Sequence, residues 1–246
     1  MEIFFANPGD IKDTHITLDD FEKKHILQSL KKNSGDTILI TDGKGSLFQT
    51  VIESKKPNLV LKIEKCEYHA PPEHQIGLGI GFIRPNRLEF ALEKGTELGV
   101  SKFHIFRSQF SNYYSDNTDR YEKILRQAIK QSLQYYLPEI IVHHSLDEFI
   151  HATGNYSHKI AAVSSEFPAL LQFLDRHQCN EENRSILISI GPEGGFSDRE
   201  IQLLTENVFL PISLGRNRLR AETAAVTAIS AIQLYIQQQK EVNIGI

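Results

Sequence analysis

Apolar positions in the first seventy or so residues fall in short runs broken by turn residues. Glu2–Ala6 is a brief, aromatic-rich run. Thr37–Thr41 and Leu47–Glu53 flank Asp42-Gly43-Lys44-Gly45, which is a hairpin signal. Leu59–Cys66 sets Leu59, Leu61 and Ile63 against mostly polar alternates, with Val60 out of step. One helix is expected over Asp19–Leu30. These segments predict a small β-rich unit over residues 1–70. His69-Ala70-Pro71-Pro72-Glu73 then reads as a linker, because paired prolines break helix and strand alike.

Beyond it the period switches between that of strands and that of helices. Strands are predicted at Gln75–Ile83, Lys102–Phe106, Glu139–Val142, Lys159–Val163, Ser185–Ile190 and Phe209–Ser213. Helices are predicted at Asn86–Leu98, stopped by Gly99, and at Thr118–Tyr136, stopped before Pro138. Further helices fall at Leu146–His151, Pro168–His177, Asp198–Asn207 and Ala221–Gln238. Such alternation predicts an α/β domain over residues 74–246, with a mostly parallel sheet covered on both faces.

Composition narrows the class. The 246 residues are 40% hydrophobic and 24% charged, an ordinary soluble globular balance. No stretch approaches the roughly 20 apolar residues of a membrane span. Met1–Pro8 lacks the basic region and apolar core of a signal peptide, so a cytoplasmic protein with no membrane partner is expected. Cys66 and Cys179 are too few for a disulfide framework. The net charge of −4 gives no global sign of nucleic acid, but every arginine lies at or beyond Arg84. On the helix starting at Thr118, Arg120, Lys123, Arg126 and Lys130 share one face, opposite Tyr121, Ile124, Leu125, Ala128, Ile129 and Tyr136. That stripe reads either as a solvated face or as an RNA-phosphate contact.

Two loops carry the chemistry. Ile186–Ile190 runs into Gly191-Pro192-Glu193-Gly194-Gly195-Phe196, after which Ser197 and Glu200 form a capping box. Ligands in open α/β sheets bind beyond the carboxyl ends of strands, where glycines expose backbone groups. The second loop is Leu214-Gly215-Arg216-Asn217-Arg218-Leu219-Arg220, followed by the small-residue helix start Ala221-Glu222-Thr223-Ala224-Ala225. Its arginines make a cationic spot suited to RNA phosphate or a base, or else a solvated loop.

Together these loops resemble those of the SPOUT methyltransferases, named for a trefoil-knotted α/β fold. The wording of Gly191–Phe196, with Leu214-Gly215 and Leu219-Arg220-Ala221-Glu222-Thr223-Ala224, is similar to the branch that methylates N3 of a uridine in 16S ribosomal RNA. Glu93–Val100 resembles that branch's helix–strand junction, and Gln127-Ala128 through Gln131-Ser132 its central helix. His25–Leu30, Gly35-Asp36 and Asp42-Gly43 resemble its N-terminal PUA-like RNA-binding barrel.

The resemblance implies S-adenosylmethionine as cofactor, held by Ile190, Gly191, Pro192, Glu193, Gly194, Gly195, Leu214, Gly215, Leu219, Arg220, Glu222 and Thr223. It implies a homodimer, no metal, and 16S ribosomal RNA as partner, free or as the assembled small subunit. Arg220 is then the candidate donor to charge developing on the uracil, with Arg218 second and Glu222 as orienter or base. Arg120, Lys123, Arg126, Lys130, Arg216 and Arg218 are the candidate RNA contacts. The alternatives are methylation at another RNA position and a non-enzymatic RNA-binding protein.

Other sites fit poorly. Gly77-Leu78-Gly79-Ile80-Gly81 alternates inside a strand, and the Phe82-Ile83-Arg84-Pro85 directly after it does not read as the helix start of a dinucleotide-binding turn. Cys66, His69 and His74 lack a fourth zinc ligand, and His143, His144 and His151 read as ordinary surface or core histidines.

Overall fold

The computed structural model describes residues 2–55, 58–177 and 185–244, apart from the side chains of 240–244. Cys179 lies outside the described residues. The chain forms two compact units, Met1–Pro72 with Arg126–Leu137, and Glu73–Leu125 with Pro138–Ile246.

The first unit holds strands β1 (Ile3–Phe5), β2 (His15–Ile16), β3 (Thr37–Thr41), β4 (Ser46–Ser54) and β5 (Val60–Tyr68). They make one sheet in the order β1-β3-β4-β5-β2, with β1 parallel to β3 and the other pairs antiparallel. Alternation buries Ile38 and Ile40 of β3 and Phe48 and Ile52 of β4 with Phe4, Ile16, Ile26, Leu59 and Leu61. The expected single helix over 19–30 is instead two pieces. Helix α1 (Asp20–Lys24), capped by Asp19 accepting from Glu22 N at 2.8 Å, widens into a π-turn at His25–Ser29. Lys31 closes it in the left-handed region, φ 53.

In the second unit, strands β6 (Gln75–Gly81), β7 (Val100–Phe106), β8 (Glu139–His143), β9 (His158–Ala162), β10 (Ser185–Ile190) and β11 (Phe209–Ile212) alternate with helices. The helices are α2 (Pro85–Glu97), α3 (Thr118–Gln131), which belongs to the first unit from Arg126 on, α4 (Leu146–Ala152), α5 (Leu170–His177), α6 (Asp198–Glu206) and α7 (Ala221–Ile244). The strand order is β11-β9-β10-β6-β7-β8 and every pair is parallel. Central strands β6 and β10 are buried almost end to end, as expected where helices cover both faces. The apolar stripe Ala221, Ala224, Ala225, Ala228, Ile229 and Ile232 buries α7 against α2, α5, β6 and β10. Small side chains there let the helix lie close to the sheet.

The glycines of β6 have a packing role. A Cβ at Gly79 would come within 2.7 Å of the Phe149 ring, and one at Gly81 within 2.7 Å of Pro192 Cδ. Helix α3 ends at Gln131, short of the expected Tyr136. Ser132 Oγ donates to Ala128 O at 2.7 Å, and Leu133 turns to φ 57. The segment then pairs with the 42–45 turn, where Gly45 N donates to Tyr135 O and Leu137 N to Gly43 O, both at 2.9 Å.

Candidate functional site

Because every pair in the large sheet is parallel, its strands all end on one edge, and the loops after β9, β10 and β11 wall a cleft of about 1160 Å³ there. Ile190, Gly191, Pro192, Glu193, Gly194 and Gly195 form one side. Leu214, Gly215, Arg216, Arg218, Leu219 and Arg220 form the other. The cleft thus joins nearly all the residues the sequence singled out in these two loops. Glu222 is linked to it through Arg87, while Thr223 is exposed and lies outside the lining.

The turn after β10 is built tightly. Gly195 N donates to Pro192 O at 2.8 Å, and Gly195 takes φ 78 with open space where a Cβ would sit. The other two glycines answer to the protein itself rather than to a ligand. A Cβ at Gly191 would meet Gly195 C at 2.9 Å, and one at Gly194 would meet Phe110 Cβ at 2.7 Å. The turn enters α6 through the expected capping box, Ser197 with Glu200. Buried Glu200 does more than cap: its Oε1 accepts from Ser108 Oγ and Gln109 N, both at 2.8 Å. One carboxylate therefore fastens the loop after β7 beside the turn after β10.

Charge is organised around Arg87, on the first turn of α2, which sequence reasoning missed. Its Nη1 lies 3.5 Å from Glu193 Oε1 and its Nε 3.6 Å from Glu222 Oε1. Arg84 N also points at Glu193 Oε1, at 3.4 Å. The second oxygen of each carboxylate, Glu193 Oε2 and Glu222 Oε2, is buried without a hydrogen-bond partner. A signal existed in Arg84-Pro85-Asn86-Arg87, since proline marks a helix start at a strand's carboxyl end. Arg218 Nη2 donates to Glu193 O at 3.0 Å and ties the two loops together. The Arg220 guanidinium makes no hydrogen bond or ion pair among the described residues and is exposed at the cleft wall, while its carbonyl accepts from Ala224 N at 2.8 Å.

The α3 stripe divides. Arg120 pairs with Glu89 at 2.7 Å on the surface, and Lys123 is exposed. Arg126 lies 4.6 Å over the Phe5 ring, and Lys130 pairs with the buried Glu22. The described residues contain no group of three or more metal-ligating side chains and no helix long and apolar enough to cross a membrane.

Comparison with known proteins gives a consistent pattern. Residues 70–233 match the model of an RNA methyltransferase domain, and 18–64 that of an RNA methyltransferase PUA domain. The chain is 28% identical over 227 residues to ribosomal RNA small subunit methyltransferase E of Bacillus subtilis, covering 86% of each chain. The Mesomycoplasma hyopneumoniae protein of the same name is 27% identical, over 91% of this chain and 95% of its own. A crystal structure of a probable rRNA-methyltransferase from Porphyromonas gingivalis superposes with TM-score 0.82 at 30% identity, covering 96% and 98% of the two chains. The small subunit methyltransferase E of Neisseria gonorrhoeae, bound to S-adenosyl methionine, shares the fold at TM-score 0.83 and 24% identity, over 95% and 97%.

Proposed function

We infer the activity from one premise: this chain belongs to the RNA methyltransferase family, and carries that family's methyltransferase domain together with its PUA domain. The proposed reaction is transfer of a methyl group from S-adenosylmethionine to N3 of a uridine in small-subunit ribosomal RNA, free or assembled. The observation that supports it most is the cleft between the turn after β10 and the arginine loop after β11.

The cleft suits this cofactor on its own terms. Glu193 Oε2 and Glu222 Oε2 are buried acceptors with nothing to accept from, and buried polar groups are costly unless paired. A ligand with hydroxyl, amino and cationic groups supplies what they lack. Ile190–Gly195, Leu214, Gly215 and Leu219 would hold it, with Glu222 behind them. When bound, S-adenosylmethionine supplies an already activated methyl group.

The chain's own residues then have to position a base and handle one proton. N3 of uracil loses its proton as it takes up the methyl group, and negative charge spreads to the flanking carbonyl oxygens. Arg220, unengaged and at the cleft wall, is the proposed donor to that charge. Arg218 is held by Glu193 O and is assigned to loop positioning. Of Glu222 and Glu193, the one whose second oxygen the cofactor leaves unpaired is the proposed proton acceptor.

For RNA phosphates, Lys123, Arg120 and Arg216 are the proposed contacts, with Arg218 left to its loop-positioning bond. Arg120's surface pair with Glu89 costs little to exchange. Arg126 and Lys130 are assigned to packing within the first unit instead. A cytoplasmic homodimer is proposed, in keeping with Leu234 standing 67% exposed on α7. The test is transfer of labelled methyl from S-adenosylmethionine to small-subunit ribosomal RNA by the purified protein. Label recovered as 3-methyluridine supports the reading, and absence of transfer to both free RNA and subunit refutes it.

A further inference from the structure

Between β7 and α3 the chain crosses the carboxyl edge of the sheet, and three large rings face outward there. Phe110, Tyr113 and Tyr114 are 41%, 37% and 46% exposed. The segment Arg107–Asn117 contains no aliphatic side chain, so these rings are its entire apolar surface.

They are held in place. Glu200 fixes Ser108 and Gln109, as described above, and Ser111 Oγ accepts from Ser108 N at 3.1 Å. Phe110 Cβ lies 2.7 Å from where a Cβ on Gly194 would sit, against the turn that walls the cleft. Tyr114 lies 5.0 Å from the Phe82 ring, and its Oη is 3.0 Å from His144 Nδ1. Tyr113 has no hydrogen-bond or ring partner among the described residues. The exposed cations Arg84 and Arg107 leave the same sheet edge, just beyond β6 and β7. Asp116 is the segment's only acid.

We propose that this segment is a stacking platform which receives unpaired RNA bases at the mouth of the methyl-transfer cleft, an inference that rests on the activity proposed above. N3 lies on the Watson–Crick edge of uracil, so a uridine methylated there must be unpaired, and the bases around it lose stacking. Aromatic side chains on a preorganised surface replace that stacking whatever the base, because every base has a π-face. A protein-docking surface would be expected to bring aliphatic groups as well, and a solvated loop would not keep Phe110 and Tyr114 anchored at this sheet edge. Arg84 and Arg107 supply charge for the flanking phosphates.

The experiment measures binding of the full chain to a single-stranded uridine-containing oligoribonucleotide, the same sequence as a duplex, and the same strand with abasic positions. Binding is expected to favour the intact single strand. Tyr113→Ala and Tyr114→Ala are each expected to weaken it by about 5- to 150-fold, the range for one lost base stack. Tyr113→Phe and Tyr114→Phe should bind as the parent does, and calorimetric affinity for S-adenosylmethionine should be unchanged throughout. In methyl transfer the alanine variants should raise KM for RNA with little change in kcat. Equal affinity of the alanine variants and the parent overturns the platform, as does equal loss in the phenylalanine variants. If the single-strand pattern holds while the parent transfers no methyl group, the platform stands and the proposed activity falls.

Discussion

Arg218 and Arg220 sit two positions apart in one loop and have different employment. Arg218 is committed to Glu193 O, whereas the Arg220 side chain has no partner among the described residues. Arg220→Ala is therefore expected to slow single-turnover methyl transfer by about 10²–10³ at saturating cofactor, the usual effect of losing one donor to developing charge. Cofactor affinity should change far less. Arg220→Lys should restore only part of the rate, because a point charge does not reproduce the guanidinium fork. A near-parental rate for the alanine variant would shift the donor role to Arg218. The loops themselves were legible at this scale, since glycines and arginines at strand ends are visible in sequence. The reason for each glycine was not. Gly191 and Gly194 are required by contacts with Gly195 and Phe110, and sequence does not show which residue lies behind a turn. Arg87 stayed hidden for the same reason, being more than a hundred positions from the carboxylates it joins.

Among the elements, α3 shows where periodicity stops being informative. Its stripe of cations is present as read, but what faces a stripe depends on tertiary placement. Lys130 meets Glu22, whose side chain is only 6% exposed. Removing one partner of a buried ion pair strands the other charge, which typically costs about 3–5 kcal/mol. Lys130→Ala is thus expected to lower the denaturant midpoint markedly, while Lys123→Ala, at an exposed position, leaves it near the parent. If Lys130→Ala instead left stability alone and weakened only RNA binding, the phosphate reading of that residue would be restored. The strands of the large sheet were legible because buried parallel strands read as apolar runs. The helix end at Gln131 was not, because it is set by backbone pairing of residues 135–137 with the turn at 43–45, far away in sequence. Strand β2 is too short to produce any period, and the π-turn after α1 leaves the apolar spacing of a plain helix.

At the level of the whole molecule, a buried polar cluster links acidity to stability. His104 Nδ1 lies 3.0 Å from His143 Nε2, and His104 Nε2 lies 3.3 Å from Tyr156 Oη. Burial, with His143 and Lys102 nearby, pushes the His104 pKa down from 6.5 to about 3. Burial also lowers His143 and pushes Tyr156 up to about 12. The unfolded chain therefore takes up protons on these histidines below pH 6.5 while the folded chain does not. Their contribution is complete above pH 6.5 and is lost as pH falls below it. The expected slope is up to about 1.4 kcal/mol per pH unit for each group that stays unprotonated in the fold. Urea midpoints measured between pH 7 and 5 should fall on acidification, and His104→Gln should flatten the fall. A parental curve with no slope in that window would contradict this account of the cluster. Above all such effects stands the claim that this chain methylates N3 of a uridine in small-subunit ribosomal RNA. Mass-spectrometric mapping of that RNA tests it most directly, from cells with the protein, without it, and with only the Arg220→Ala form. The account predicts a single 3-methyluridine present in the first, absent from the second and strongly reduced in the third. An identical methylation map with and without the protein would contradict it.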